Sequence, residues 1–136
     1  LTRTAKDSGE NFFDQFDYFE GYDPAQGFVH YVPKARAEQL VSPQRACAMR
    51  RDKTTLPRDL TFASSQSAIL KVDTSVGPGS TPDASTGRFS VRVSSKKQYD
   101  DGLFIFDIKH TPFGCGTWPA LWLVDENEWP ANGEID

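Results

Sequence analysis

The chain has 136 residues, 38% hydrophobic and 25% charged, which suffices for one globular domain with a real core, although a mean hydropathy of −0.54 is on the polar side. A formal net charge of −4 and a pI near 5.1 argue against nucleic acid and anionic membrane surfaces as partners. No apolar run approaches the roughly 20 residues that span a bilayer, and the polar residues from Leu1 onward lack the apolar centre of a signal peptide.

The chain therefore reads as soluble, and either as cytoplasmic or as a product whose N-terminus was removed or never recorded. Helical signal is poor, and the best candidate is "KARAEQLVS" (34–42). Its apolar residues Ala35, Leu40 and Val41 are too few for a stripe, so a short surface helix or loop is expected. Cys47 and Cys115 match no zinc spacing. They can pair with each other, pair outside the chain or stay free. No Asn-x-Ser/Thr acceptor occurs to argue for glycosylation. "MRRDKTTLPRD" (49–59) reads as a solvated loop, and its basic cluster Arg50, Arg51 and Lys53 as ordinary surface.

Short β-like runs follow. "AILKVD" (68–73) precedes a turn-rich stretch, "SVGPGSTPDASTG" (75–87). "RFSVRVSS" (88–95) alternates, with Phe89, Val91 and Val93 on one face and Arg88, Ser90, Arg92 and Ser94 on the other. "GLFIFDIKH" (102–110) is apolar on both faces, as a central strand covered on two sides should be. A second turn region (110–119) leads into "WPALWLV" (118–124), another predicted strand. Six to eight strands with Gly/Pro-rich turns point to an antiparallel sandwich or barrel. Sandwiches that hold long ligands often need about 200–250 residues, so a chain halting inside a β-like segment looks cut, with an open sheet edge.

The last 21 residues, "GTWPALWLVDENEWPANGEID", hold all three tryptophans and five acidic groups. If Glu134, Ile135 and Asp136 lie on a strand, both carboxylates share a face and Ile135 points into the core. Such a pair repels unless one acid holds a proton or a charged ligand intervenes, which is a way to keep an acid at neutral pH. Paired acids also occur on ordinary solvated faces, and tryptophans are more often core than platform. The two together favour a different reading. Trp118 and Trp122 fall on one side of the predicted strand, and Trp129 lies five residues before Glu134. Indole faces suit sugar rings, so a carbohydrate site is favoured. Arg92, on the polar face of its strand, offers a planar fork for hydroxyls or a carboxylate; Arg88 is the weaker candidate.

"GTWPALWL…W…GEID" resembles the active-site region of glycoside hydrolase family 16, whose signature is E-[hydrophobic]-D-x-(x)-E on a β-strand. "NFFDQFDYFEGYDPAQGFVHYV" and "GRFSVRVSSKKQYDDGLFIFDIKHTPFGCGTWPALW" are similar to the fungal laminarinase-type members, endo-1,3(4)-β-glucanases. The likeness runs from Asn11 to Asp136. It implies an all-β, antiparallel β-jelly-roll sandwich (concanavalin-like) with a concave cleft. Residues 1–136 would be the N-terminal part of one catalytic domain, truncated at its C-terminus. It also implies retaining hydrolysis of internal β-1,3 or mixed β-1,3/1,4 bonds.

The resemblance makes Glu134 the nucleophile and Asp136 its assisting acid, holding a proton between two glutamates. Trp118, Trp122 and Trp129 become cleft tryptophans, and Arg92 the arginine that contacts sugar on the non-reducing side. The acid/base glutamate would stand at position 138, or 139 across a β-bulge, so residues 1–136 alone should be inactive. A β-glucan polysaccharide or oligosaccharide is the implied partner. Secretion, a monomer and no cofactor are implied too, with room for a structural calcium. Two rival readings use the same fold: a non-catalytic β-1,3-glucan-binding protein, and a transglycosylase in which sugar rather than water attacks the intermediate.

Overall fold

A computed structural model describes residues 5–38, 60–73 and 87–136. The chain divides into two compact units, Leu1–Tyr99 and Asp100–Asp136. Several sequence features lie outside the described residues: Cys47, the 49–59 loop, the 75–86 turn region and the end of the 34–42 segment.

In the first unit a 3-10 turn at Phe12–Gln15 leads into β1, Phe16–Tyr18. The strands β2 (Gly21–Tyr22) and β3 (Val29–Tyr31) follow, then a four-residue helix α1, Lys34–Ala37. Beyond them come β4 (Thr61–Ala63), β5 (Ala68–Leu70), β6 (Arg88–Ser90) and β7 (Val93–Ser95). The pairs β1–β7, β2–β3 and β4–β5 are antiparallel. The hairpin β4–β5 turns on Ser64, whose Oγ accepts the backbone N–H groups of Gln66 and Ser67 at 3.2 and 3.1 Å. That is a serine doing in a turn what backbone does elsewhere.

One pair departs from the antiparallel expectation. β3 and β6 run parallel, with Val29 opposite Arg88 and Tyr31 opposite Ser90. Two strands joined by a long crossover rather than a tight turn are free to run in the same direction. The run 88–95 is likewise two strands, not one. At Val91–Arg92 the chain leaves the partner of β6 and pairs with β1 instead, and the Arg92 carbonyl accepts the Phe19 N–H at 3.0 Å.

Of the apolar residues of that run, Phe89 and Val91 reach the core, whereas Ser90, Arg92 and Ser94 on the expected outer face are half-buried as well. Phe89 and Val91 pack, with Tyr18, against a core of Val32, Ala37 and Leu60, of which Val32 is only 2% exposed. Backbone bonds knit the same core: Leu60 N–H donates to Ala37 O at 3.0 Å and Val32 N–H to Ser90 O at 3.2 Å. On the three-stranded sheet, cross-strand neighbours Tyr22, His30 and Phe89 form an aromatic file, with ring centroids 5.1 and 5.6 Å apart. The Arg36 guanidinium caps it, 4.2 Å from the Phe89 centroid.

The second unit holds β8 (Leu123–Val124) and β9 (Glu134–Ile135), antiparallel, with Leu123 opposite Ile135 and Val124 opposite Glu134. Three expectations are corrected here. Residues 102–110 form no strand and are exposed throughout, Ile105 at 82%. Of 118–124 only the last two residues pair, so Trp118 and Trp122 do not share a strand face. Ile135 does not enter a core but is 69% exposed. The cause is common to all three. An apolar run becomes a buried strand only when a neighbour supplies its ladder and a second layer covers it, and β8–β9 is a single two-stranded pair.

Candidate active site

The carboxylate side of the candidate site is built on the loop joining β8 to β9. Asp125, the first residue after β8, accepts from both ends of this loop. Its Oδ1 takes the Asn127 N–H at 3.1 Å and its Oδ2 the Asn132 side-chain amide at 2.8 Å. The Asn132 amide, then the Asn127 N–H, hold the Asp125 carboxyl below the usual carboxylate range. Inside the loop, Ala131 N–H donates to Glu128 O at 2.6 Å and Gly133 N–H to Pro130 O at 3.0 Å. Gly133 has φ of +80°, a conformation other residues resist, and it turns the chain into β9.

That turn leads into β9, which begins with Glu134. Its carboxylate is exposed, and Oε2 accepts a hydrogen bond from the Trp129 indole Nε1–H at 2.6 Å. The Trp129 ring in turn meets Trp122 edge to face, with centroids 6.0 Å apart and planes at 80°. Both tryptophans are half-buried. The three residues therefore form one contiguous group: a carboxylate, an indole that holds one of its oxygens, and a second indole against the first. Chemically this is a solvent-facing carboxyl group beside flat aromatic surface, suited to a neutral, amphipathic ligand.

The remaining candidates are placed less tightly. Asp136 is exposed and follows β9 directly. Trp118 stands 73% exposed, just past a turn closed by the Thr117 hydroxyl on Gly114 O at 2.8 Å. Arg92 belongs to the first unit, half-buried, with its guanidinium 5.0 Å from the Phe19 ring centroid. Arg88, exposed, donates to Asp73 O at 2.9 Å, a structural tie. Cys115 is exposed, and no disulfide occurs among the described residues. Among those residues no group of His, Cys, Asp and Glu could hold a metal ion, and no helix is long and apolar enough to cross a membrane. A surface recess of about 360 Å³ beside Asp7, Asn11, Gln15 and Lys97 includes none of the candidates.

Sequence reasoning missed Asp125 and Asn132. Their signal was the run of Asp and Asn residues across "DENEWPAN", which reads only as a turn. It also assigned Trp129 a stacking face without foreseeing that its N–H engages Glu134.

Residues 16–136 match the family model for XgeA-like, catalytic GH16 domains. The chain belongs to this family. Its fold class is accordingly the all-β jelly roll, and the described elements are nearly all strand. The chain is 40% identical over 131 residues, 94% of its length, to the endo-1,3(4)-beta-glucanase xgeA of Emericella nidulans, of which it covers 17%. It is 40% identical over 129 residues (94% of the chain) to a probable endo-1,3(4)-beta-glucanase of Aspergillus niger, covering 15% of that protein. A probable glycosidase of Schizosaccharomyces pombe is 36% identical over 128 residues, again 94% of the chain and 25% of the relative. The chain thus spans only about a sixth to a quarter of the relatives it matches. No solved structure matches it.

Proposed function

We propose that this GH16 chain carries the nucleophile half of an endo-acting, retaining β-glucan hydrolase, cutting 1,3 or mixed 1,3/1,4 linkages. The observation that carries the reading is Glu134: an exposed carboxyl group at the start of β9, held by one indole N–H and flanked by aromatic surface. The names of the relatives, glucanases and a glycosidase, support the same substrate class.

In this reading the Glu134 oxygen not bound by Trp129 attacks the anomeric carbon, and the bond from that carbon to the leaving oxygen breaks. A glutamate at 138 or 139, about 5–5.5 Å from the nucleophile, protonates the leaving oxygen and then deprotonates water. The water releases the sugar with its configuration retained. Asp136 holds a proton between the two glutamates. Trp118, Trp122 and Trp129 line the glucan path, and Arg92 contacts sugar on the non-reducing side. The whole protein is a secreted, fungal, laminarinase-type monomer acting on extracellular β-glucan.

The test is Glu134→Gln in the full-length protein, with reducing ends released from laminarin as the assay. Turnover falls by at least about 10³-fold while laminarin affinity persists. Unchanged turnover in this variant overturns the assignment, and absence of turnover in the unaltered protein favours a glucan-binding role. Residues 1–136 alone lack the acid/base, a loss of about 10²–10⁴-fold. Reducing sugar released by them at the full rate would refute that division of labour.

A further inference from the structure

An exposed glutamate is a poor nucleophile in one respect: its side chain has several rotamers, and attack requires one of them. Holding it takes a donor that is itself held. The Trp129 N–H is placed to be that donor, 2.6 Å from Glu134 Oε2. It fixes Oε2 and leaves Oε1 to react. Trp129, however, sits on a loop, where backbone freedom is greatest. Three contacts restrain it. Trp122 packs on its ring, Asp125 Oδ2 takes the Asn132 amide three residues after Trp129, and Asp125 Oδ1 takes the Asn127 N–H two residues before. The Asp125–Asn132 bond therefore closes the loop across the indole, while the Asn127 N–H fixes the turn at Asp125 itself.

We propose that Asp125 and Asn132 are positioning residues, clamping the β8–β9 loop so that the Trp129 N–H holds the Glu134 carboxylate in its attacking rotamer. The proposal rests on the reading of Glu134 as nucleophile. In the laminarin reaction neither residue needs to touch sugar. Their effect travels through one indole, which makes it measurable as a dependence on that indole.

The experiment is a double-mutant cycle in the full-length protein. Trp129→Phe keeps an aromatic face and removes the N–H; kcat on laminarin should fall about ten- to a hundredfold, with KM changed by less than about threefold. Asn132→Ala should lower kcat about three- to tenfold, again with KM nearly unchanged. With Trp129 already Phe, adding Asn132→Ala should cost little more. The circular-dichroism couplet of the Trp122–Trp129 pair should weaken in Asn132→Ala while the backbone signal and melting temperature hold. Should Asn132→Ala fail to fold, Asp125→Asn, which keeps one acceptor oxygen, carries the same test. Additive losses in the cycle overturn the proposal, as does a rise in KM at constant kcat, which would mean that the loop grips sugar directly. Glu134→Gln separates the two levels. If it retains turnover, the nucleophile reading falls and takes this proposal with it. If it is inactive while Asn132→Ala is fully active, the clamp alone is wrong.

Discussion

Gly87 precedes β6 with φ of +65°, and a Cβ built there would lie 2.3 Å from the Phe28 carbonyl oxygen and 2.7 Å from its carbon. Both are backbone atoms, fixed by the pairing of Val29 with Arg88, so neither can swing aside as a side chain would. The Gly87→Ala change therefore carries two penalties. The left-handed conformation costs a non-glycine residue about 1 kcal/mol. The overlap, more than an ångström inside ordinary contact, forces β3 and β6 apart, at roughly 1–3 kcal/mol by analogy with overpacking. Gly9 provides the control, since its φ is +81° yet nothing lies within 4 Å of its Cβ position. Its Ala variant should lose only the first penalty. Urea unfolding of the full-length protein reads both. With penalties of about 2–4 kcal/mol against about 1, Gly87→Ala should lower the midpoint by at least about twice as much as Gly9→Ala. Equal shifts for the two variants would refute the argument, because only the close backbone approach distinguishes them.

Two further outcomes follow from the same unit. Val32→Ala empties space between Ala37 and Leu60 and should cost about 2–3 kcal/mol in the same assay; a loss under about 0.5 kcal/mol would mean the pocket closes over the gap. The Lys34–Asp14 pair, 2.6 Å apart, gives a stability contribution with a defined pH window. The Lys34 hydrogen bond lowers the Asp14 value from its ordinary 3.8, so that share is present above 3.8 and lost as pH falls through the lowered value. The Asp14 hydrogen bond raises the Lys34 value from 10.5, so its share is present below 10.5 and lost as pH rises through the raised value. The stability difference between the unaltered protein and Lys34→Met should be flat between those limits, fade at either end, and shrink with added salt. A difference that peaks outside the window would contradict the assignment.

What the residues announce directly is what depends on neighbours in sequence. The apolar alternation in "RFSVRVSS" marks Phe89 and Val91 for burial, and both pack on the core although the run breaks between β6 and β7. The likeness of the Trp-rich end and "GEID" to GH16 is legible because the motif is contiguous, and the family match over 16–136 agrees with it. The same local logic fails for residues 102–110 and for Ile135. Apolar pattern states a demand for burial, and only a second strand and a covering layer meet it.

The tertiary structure alone decided which groups touch. No spacing rule shows that β3 and β6 run parallel, that Arg36 lies over Phe89, or that Asp125 ties the two ends of its loop. The Trp129 N–H reaches Glu134 only because the loop folds back through five residues and Gly133 turns it into β9. Composition marked Trp129 and Glu134 as candidates for one site; the hydrogen bond between them is a matter of direction, and direction comes from the closed loop.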